Sequence, residues 1–132
     1  MRIGRRLRGC LNAICFLVAL PASHAIADEA FNACLKSSPA DDTRCGEEWV
    51  AREQKRLDAV WQELVTVADG EVAKKIAEEQ HGWEAFRDLS CTFKLDAGFG
   101  GAGGPTGYHA CRAEVLASRA AALEVYVKYI DN

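Results

Sequence analysis

Leu57-Asp58-Ala59-Val60-Trp61-Gln62-Glu63-Leu64-Val65-Thr66-Val67-Ala68-Asp69-Gly70-Glu71-Val72 is the stretch on which the fold turns. Val50, Leu57, Val60, Trp61, Leu64 and Ala68 recur at the i, i+3, i+4, i+7 rhythm of an amphipathic helix over about residues 43–68. Asp69-Gly70 closes that helix, and a second one over about residues 71–93 has Val72, Ile76, Trp83 and Phe86 as its apolar side. A two-residue link turns the chain back on itself, so the two helices are expected to form a long antiparallel hairpin. Downstream, Asp96 to Gly107 holds six glycines and a proline and reads as a loop. A last helix over about residues 108–130, with Val115, Leu116, Leu123, Tyr126 and Ile130 in register, must lie back across the hairpin to bury its stripe. Upstream, Ala30, Phe31, Cys34 and Leu35 follow the capping residue Asp28 and stop at Ser37-Ser38-Pro39, which marks a short first helix. No strand pattern, internal repeat or second domain is present in the sequence. The expected fold is all-α: an antiparallel three-helix bundle, made of the hairpin and a C-terminal helix, with a short N-terminal helix.

The first 27 residues do not belong to this pattern. Arg2, Arg5, Arg6 and Arg8 precede an uncharged, largely apolar run from Cys10 to Leu20, and small residues follow at Ala25-Ile26-Ala27. This is the layout of a cleavable secretory signal peptide, too short to span a bilayer, which needs about 20 apolar residues. Ser23-His24-Ala25 is a second candidate cleavage site. Arg5-Arg6 fits twin-arginine export as well as an ordinary basic leader. Cys10 and Cys15 lack a lipobox-like lead, so no lipid anchor is expected. The expectation is residues 1–27 as signal peptide and 28–132 as one domain, periplasmic or secreted. Loss of the four arginines leaves 12 basic against 19 acidic side chains, a net charge of −7. Such a surface disfavours nucleic acid and anionic membranes and favours a basic partner, although acidity also simply keeps an exported protein soluble.

Cys34, Cys45, Cys91 and Cys111 remain after the leader, and in an oxidising compartment disulfides are the default. Four cysteines allow three pairings, which spacing alone leaves open. The local pairs Cys34–Cys45 and Cys91–Cys111 are expected because each brackets a segment whose ends return to adjacent helices. Cys45–Cys91, at the open end of the hairpin, is the rival. Zinc would need more histidine than His81 and His109 and a C-x-x-C pair, which the chain lacks, so neither metal nor cofactor is expected.

Three charged residues fall where apolar ones belong: Glu53 beside Leu57 and Val60, Arg87 beside Gln80 and Ile76, and Arg119 within the last helix's stripe. Glu53 and Arg87 each lie about 16 or 17 residues from the turn, roughly 25 Å along their helices, so they are expected to meet. Arg119 projects nearer Gln80, whose amide oxygen can accept from it, with Glu84 or Glu114 completing the set. A buried guanidinium demands such partners. Glu53, Gln80, Arg87 and Arg119 therefore read as a polar network that fixes helix register. An active site is the other reading, but Ser90 and Ser118 have no histidine at workable spacing, and Glu84 with Asp88 reads as an exposed face. No enzymatic role is expected.

Trp49, Trp61 and Trp83 read as core residues, with a sugar-binding aromatic shelf as the alternative. The glycine-rich loop lacks Gly-Lys-Ser/Thr and follows no strand, so it is not a phosphate loop. Flanked by Cys91 and Cys111, Phe99-Gly100-Gly101-Ala102-Gly103-Gly104 could be stapled at its base and enter a partner's cleft, with Phe99 as its only large apolar side chain. A plain flexible crossover has the same composition.

One further pattern joins these residues. Gln80-x-x-Trp83-x-x-Phe86-Arg87-Asp88-x-x-Cys91, then Gly100-Gly101, then Cys111 with Arg119 eight residues on and Leu123 four beyond, resembles the LprI-like lysozyme inhibitor family. Tyr108 also fits, and the resemblance covers roughly residues 45 to 125. Trp61 stands where that family usually has Tyr, Ala102 where it has Ser, and Leu116 where Thr is common. The resemblance implies a small secreted helical protein that associates stoichiometrically with lysozyme, without turnover. An envelope structural or stress-related protein with no lysozyme target is the rival expectation.

Overall fold

A computed structural model describes residues 28–96 and 103–130 of the chain. Four helices run in order, α1 (Glu29–Ser37), α2 (Asp42–Val67), α3 (Gly70–Leu89) and α4 (Gly104–Ile130). Short 3₁₀ turns fill Pro39–Asp41 and Thr92–Leu95, and among the described residues there is no strand. The all-α reading holds. The proposed signal peptide, residues 1–27, lies outside the described residues.

Asp28 starts α1 as a true N-cap: its Oδ1 accepts from the Ala30 and Phe31 amides at 2.8 and 3.0 Å. Its Oδ2 also meets Arg52 of α2 at 2.8 Å, which ties the short helix to the long one. Phe31 then stacks on Trp49, ring centroids 4.9 Å apart, and the two share a buried cluster with Cys45 and Ala113. The cap thus sets the angle at which α1 closes one end of the bundle.

Helix directions follow from the contacts. Gly46 lies against His109 and Arg56 reaches Glu124, so α2 and α4 run the same way. Cys91 joins Cys111 and Gln80 meets Arg119, so α3 runs opposite to α4 and hence to α2. The order is up, down, up, as a two-residue link requires.

The intimate pair is α2 with α4, not the sequential pair α2 and α3. Small residues make this possible. A Cβ on Gly46 would fall 2.6 Å from the Cβ of His109, so only glycine lets the helices approach this closely. Ala113 and Ala120 are fully buried on α4. Leu57, Val60 and Leu64 of α2 interdigitate with Leu116, Leu123 and Val127 of α4 to form the main core, which Ile76 of α3 joins.

Three sequence expectations change here. Val72 and Phe86, expected on the apolar side of α3, are 48% and 59% exposed, and Ile76 and Gln80 are the buried residues of that helix. The cause is the α2–α4 contact, which buries most of the available apolar surface and leaves α3 a narrow seam. Helix α3 ends at Leu89, earlier than expected, because Cys91 adopts a left-handed φ of 73° that no helix continues through. Helix α4 begins at Gly104, earlier than expected: Gly104 turns the chain with φ 74°, and Pro105 then suits a first helical turn. The Thr106 hydroxyl reaches Asp42 and, with the Thr43 amide, holds that carboxyl below its ordinary range. The first turn of α4 is thereby fastened to the start of α2.

Candidate partner-binding face

Both disulfides are the local ones. Cys34 joins Cys45 and Cys91 joins Cys111, with Cα separations of 5.7 and 5.8 Å. The first fastens α1 to α2. The second fastens the end of α3 to α4 and closes the base of the glycine-rich segment. Of that segment, Phe99, Gly100, Gly101 and Ala102 lie outside the described residues, whereas Gly103 and Gly104 lead into α4.

The polar residues divide into two groups. Arg119, only 7% exposed, donates from Nε to Gln80 Oε1 at 3.0 Å and from Nη1 to Glu79 Oε1 at 2.5 Å. Tyr126 donates its hydroxyl to the same Glu79 carboxylate at 3.1 Å. The Gln80–Arg119 contact was legible in the sequence, but Glu79 takes the place expected for Glu84 or Glu114. A signal existed: Glu79 directly precedes Gln80 on α3, so both can turn toward one guanidinium.

Glu53 and Arg87 do not pair with each other. Glu53 faces Arg56 of its own helix at 3.6 Å, and its buried Oε2 accepts no hydrogen bond among the described residues. Arg56 in turn bonds Glu124 of α4 through Nε and Nη2, at 3.1 and 2.8 Å. Arg87 donates to Asp88 at 2.9 Å, and its backbone carbonyl accepts from Arg112. The projection placed the two residues at one level along the hairpin. It failed because α3 is held to α4 while α2 turns its close contacts elsewhere.

Trp83 is the hinge of this arrangement. The guanidinium carbons of Arg87 and Arg119 lie 5.7 and 5.6 Å from its ring, both within cation–π range. The ring is half-buried and lines a groove of about 280 Å³ between α3 and α4, together with Phe86, Cys111, Glu114, Val115 and Ser118. Trp49 is buried in the core, whereas Trp61 is partly buried and packs against it. His109 sits in α4 against Gly46, with Nε2 3.9 Å from Glu47. His81 is exposed on α3. No described helix is long and apolar enough to cross a membrane.

The family model of lysozyme inhibitor LprI matches residues 31–123, from Phe31 in α1 to Leu123 in the core of α4. The chain belongs to the LprI lysozyme inhibitor family. No curated protein and no solved structure shows significant similarity to it. On this LprI fold the motif residues sort by burial. Gln80, Cys91 and Arg119 are buried, and Cys111 is partly so; these residues hold α3 against α4. Trp83 is shared between the network and the groove. Phe86 and Asp88 are exposed, and Phe86 contributes nothing to the core. Two disulfides in a member of an inhibitor family also place the chain in an extracytoplasmic setting, since cytosolic thiols stay reduced.

Proposed function

We propose that the mature protein, exported to the periplasm or the exterior, binds a basic, chicken-type lysozyme stoichiometrically and inhibits it without turnover. Membership in the LprI family over residues 31–123 carries this reading. Two physical features support it. The net charge of −7 over residues 28–132 favours encounter with a cationic enzyme. The glycine-rich sequence around Phe99 lies between the disulfide partners Cys91 and Cys111, and glycines in that number would permit close backbone approach to a cleft.

The test is a titration of lysozyme activity with the purified, oxidised chain at about 0.15 M salt, where bare charge attraction is strongly screened. Stoichiometric loss of activity is expected. Absence of inhibition would leave an envelope protein that keeps the family's fold without its named activity. Inclusion of Phe99→Ala in the same titration tests the loop: parent-like inhibition by that variant removes Phe99 as an anchor.

A further inference from the structure

The α3–α4 groove lies beside the Cys91–Cys111 bond and is open to solvent, so a partner meeting that end of the molecule also meets the groove. Its walls are mostly apolar, from Trp83, Phe86 and Val115, with Glu114 and Ser118 as the polar side chains. Further exposed apolar side chains follow Phe86 along the chain. Phe86 is 59% exposed, Leu89 one turn on is 75% exposed, and Phe93 in the following 3₁₀ turn is 54% exposed. Aromatic side chains left in water at one end of a small domain mark an interaction surface more often than a folding requirement.

Charge on this face is unequally compensated. Of the nearby cations, Arg87 pairs with Asp88 and Arg119 with Glu79, while Arg112 donates to the Arg87 carbonyl and its charge acts on Asp88. Glu114, exposed on the groove wall, forms no ion pair or hydrogen bond among the described residues, and neither does Glu84 one residue beyond Trp83. A slot with an apolar floor and a free carboxylate at its rim matches a long basic side chain, whose methylene stem lies on the aromatics while its cation meets the acid.

We propose that this groove receives a lysine or arginine side chain from the surface of lysozyme, with Phe86 as the apolar anchor and Glu114 as the counter-charge. The assignment rests on the lysozyme reading above and adds a docking site on the helical body. It predicts that affinity depends on two side chains that the fold does not need.

The experiment measures lysozyme binding and inhibition for the oxidised parent, Phe86→Ala, Glu114→Lys and Glu71→Lys. Glu71, 77% exposed at the far end of α3, makes the same charge change away from the groove. Phe86→Ala and Glu114→Lys are each expected to weaken binding about tenfold or more, as loss of a central anchor does. Glu71→Lys should stay within about twofold of the parent, as a distant rim charge does. Thermal melts superimposable on the parent's exclude misfolding as the cause. Parent-like affinity for both groove variants overturns the groove while leaving the inhibitor reading intact. Equal losses for Glu114→Lys and Glu71→Lys with Phe86→Ala unaffected would mean diffuse charge attraction, which also overturns it. Self-association abolished by Phe86→Ala, with lysozyme binding unchanged, would reassign the groove to a second copy of the chain. A parent that neither binds nor inhibits lysozyme defeats both readings together.

Discussion

Arg119 and Arg87 both approach the ring of Trp83, yet they stand in different surroundings. Arg119 is 7% exposed and gives two hydrogen bonds to α3, whereas the side chain of Arg87 is 24% exposed and its ion pair is with the adjacent, solvated Asp88. Removing Arg119 strands the amide of buried Gln80 and empties a packed position, so Arg119→Ala should cost on the order of 3 kcal/mol. Arg87→Ala loses a surface ion pair and part of a cation–π contact, about 1 kcal/mol. Urea titrations of the two variants check this ranking, and an equal cost would contradict the burial difference. Gly46 gives a second test at this scale. Alanine there would set its Cβ 2.6 Å from the Cβ of His109, an atom fixed by the α4 backbone, so the helices must part. Gly46→Ala should therefore destabilise by about 1–3 kcal/mol, whereas Gly82→Ala, which meets nothing within 4 Å, should be neutral or stabilising. Helical phase alone was enough to pick out Gln80 and Arg119, since a charged residue within an apolar stripe needs an acceptor. It could not find Gly46, because a glycine's role depends on what crosses it.

Among the helices, α3 is the one the others need least. It buries Ile76 and Gln80, while α2 and α4 share nearly all of the main core. Amide exchange should accordingly be faster along α3 than along the central turns of α2 and α4, and uniform protection across all three would show that α3 is part of the same cooperative unit. What holds α3 at its end is Cys91–Cys111, which closes a segment 20 residues long. Replacing both cysteines by alanine should lower stability by roughly 3 kcal/mol. Cys91 has a φ of 73°, which costs an L-residue about 1–2 kcal/mol, so Cys91→Gly with Cys111→Ala should recover about 1 kcal/mol of that loss. Chemical denaturation of the two double variants against the oxidised parent measures the difference. The sequence was a sound guide to the number, order and direction of the helices because apolar periodicity and a two-residue turn act locally. It misjudged which helices touch, since that choice is made by small residues such as Gly46, Ala113 and Ala120, which carry no periodic signal of their own.

Over the whole molecule, the excess of carboxylates bears on both stability and encounter. Asp28 is held below its ordinary 3.8: burial works against ionisation there, but the bonds from Arg52 and from the Phe31 and Ala30 amides outweigh it. Asp42 is lowered by the Thr106 hydroxyl and the Thr43 amide, and Asp88 by Arg87. A carboxyl whose folded pKa lies below its unfolded value contributes stability that is complete above the unfolded value and is lost as pH falls through the folded one. Melting temperature should thus be level from neutrality down to about pH 5 and fall below about pH 4. A melting temperature that rises on acidification would mean that carboxylate repulsion outweighs these contacts. On the proposed inhibitor function, the same charges would govern the approach to a cationic lysozyme. With a net charge of −7 over residues 28–132, attraction extends across the solvent gap before contact, so it acts on the approach and hardly on the docked state. Raising ionic strength shortens that reach, from roughly 30 Å at 0.01 M to about 8 Å at 0.15 M. The association rate constant for lysozyme should therefore drop by an order of magnitude or more over that range, while dissociation, set by the docked contacts, changes little. Surface-binding kinetics at several salt concentrations separate the two constants. If dissociation alone responded to salt, the charge dependence would lie in the docked contacts, and the net charge of −7 over residues 28–132 would have no part in the approach.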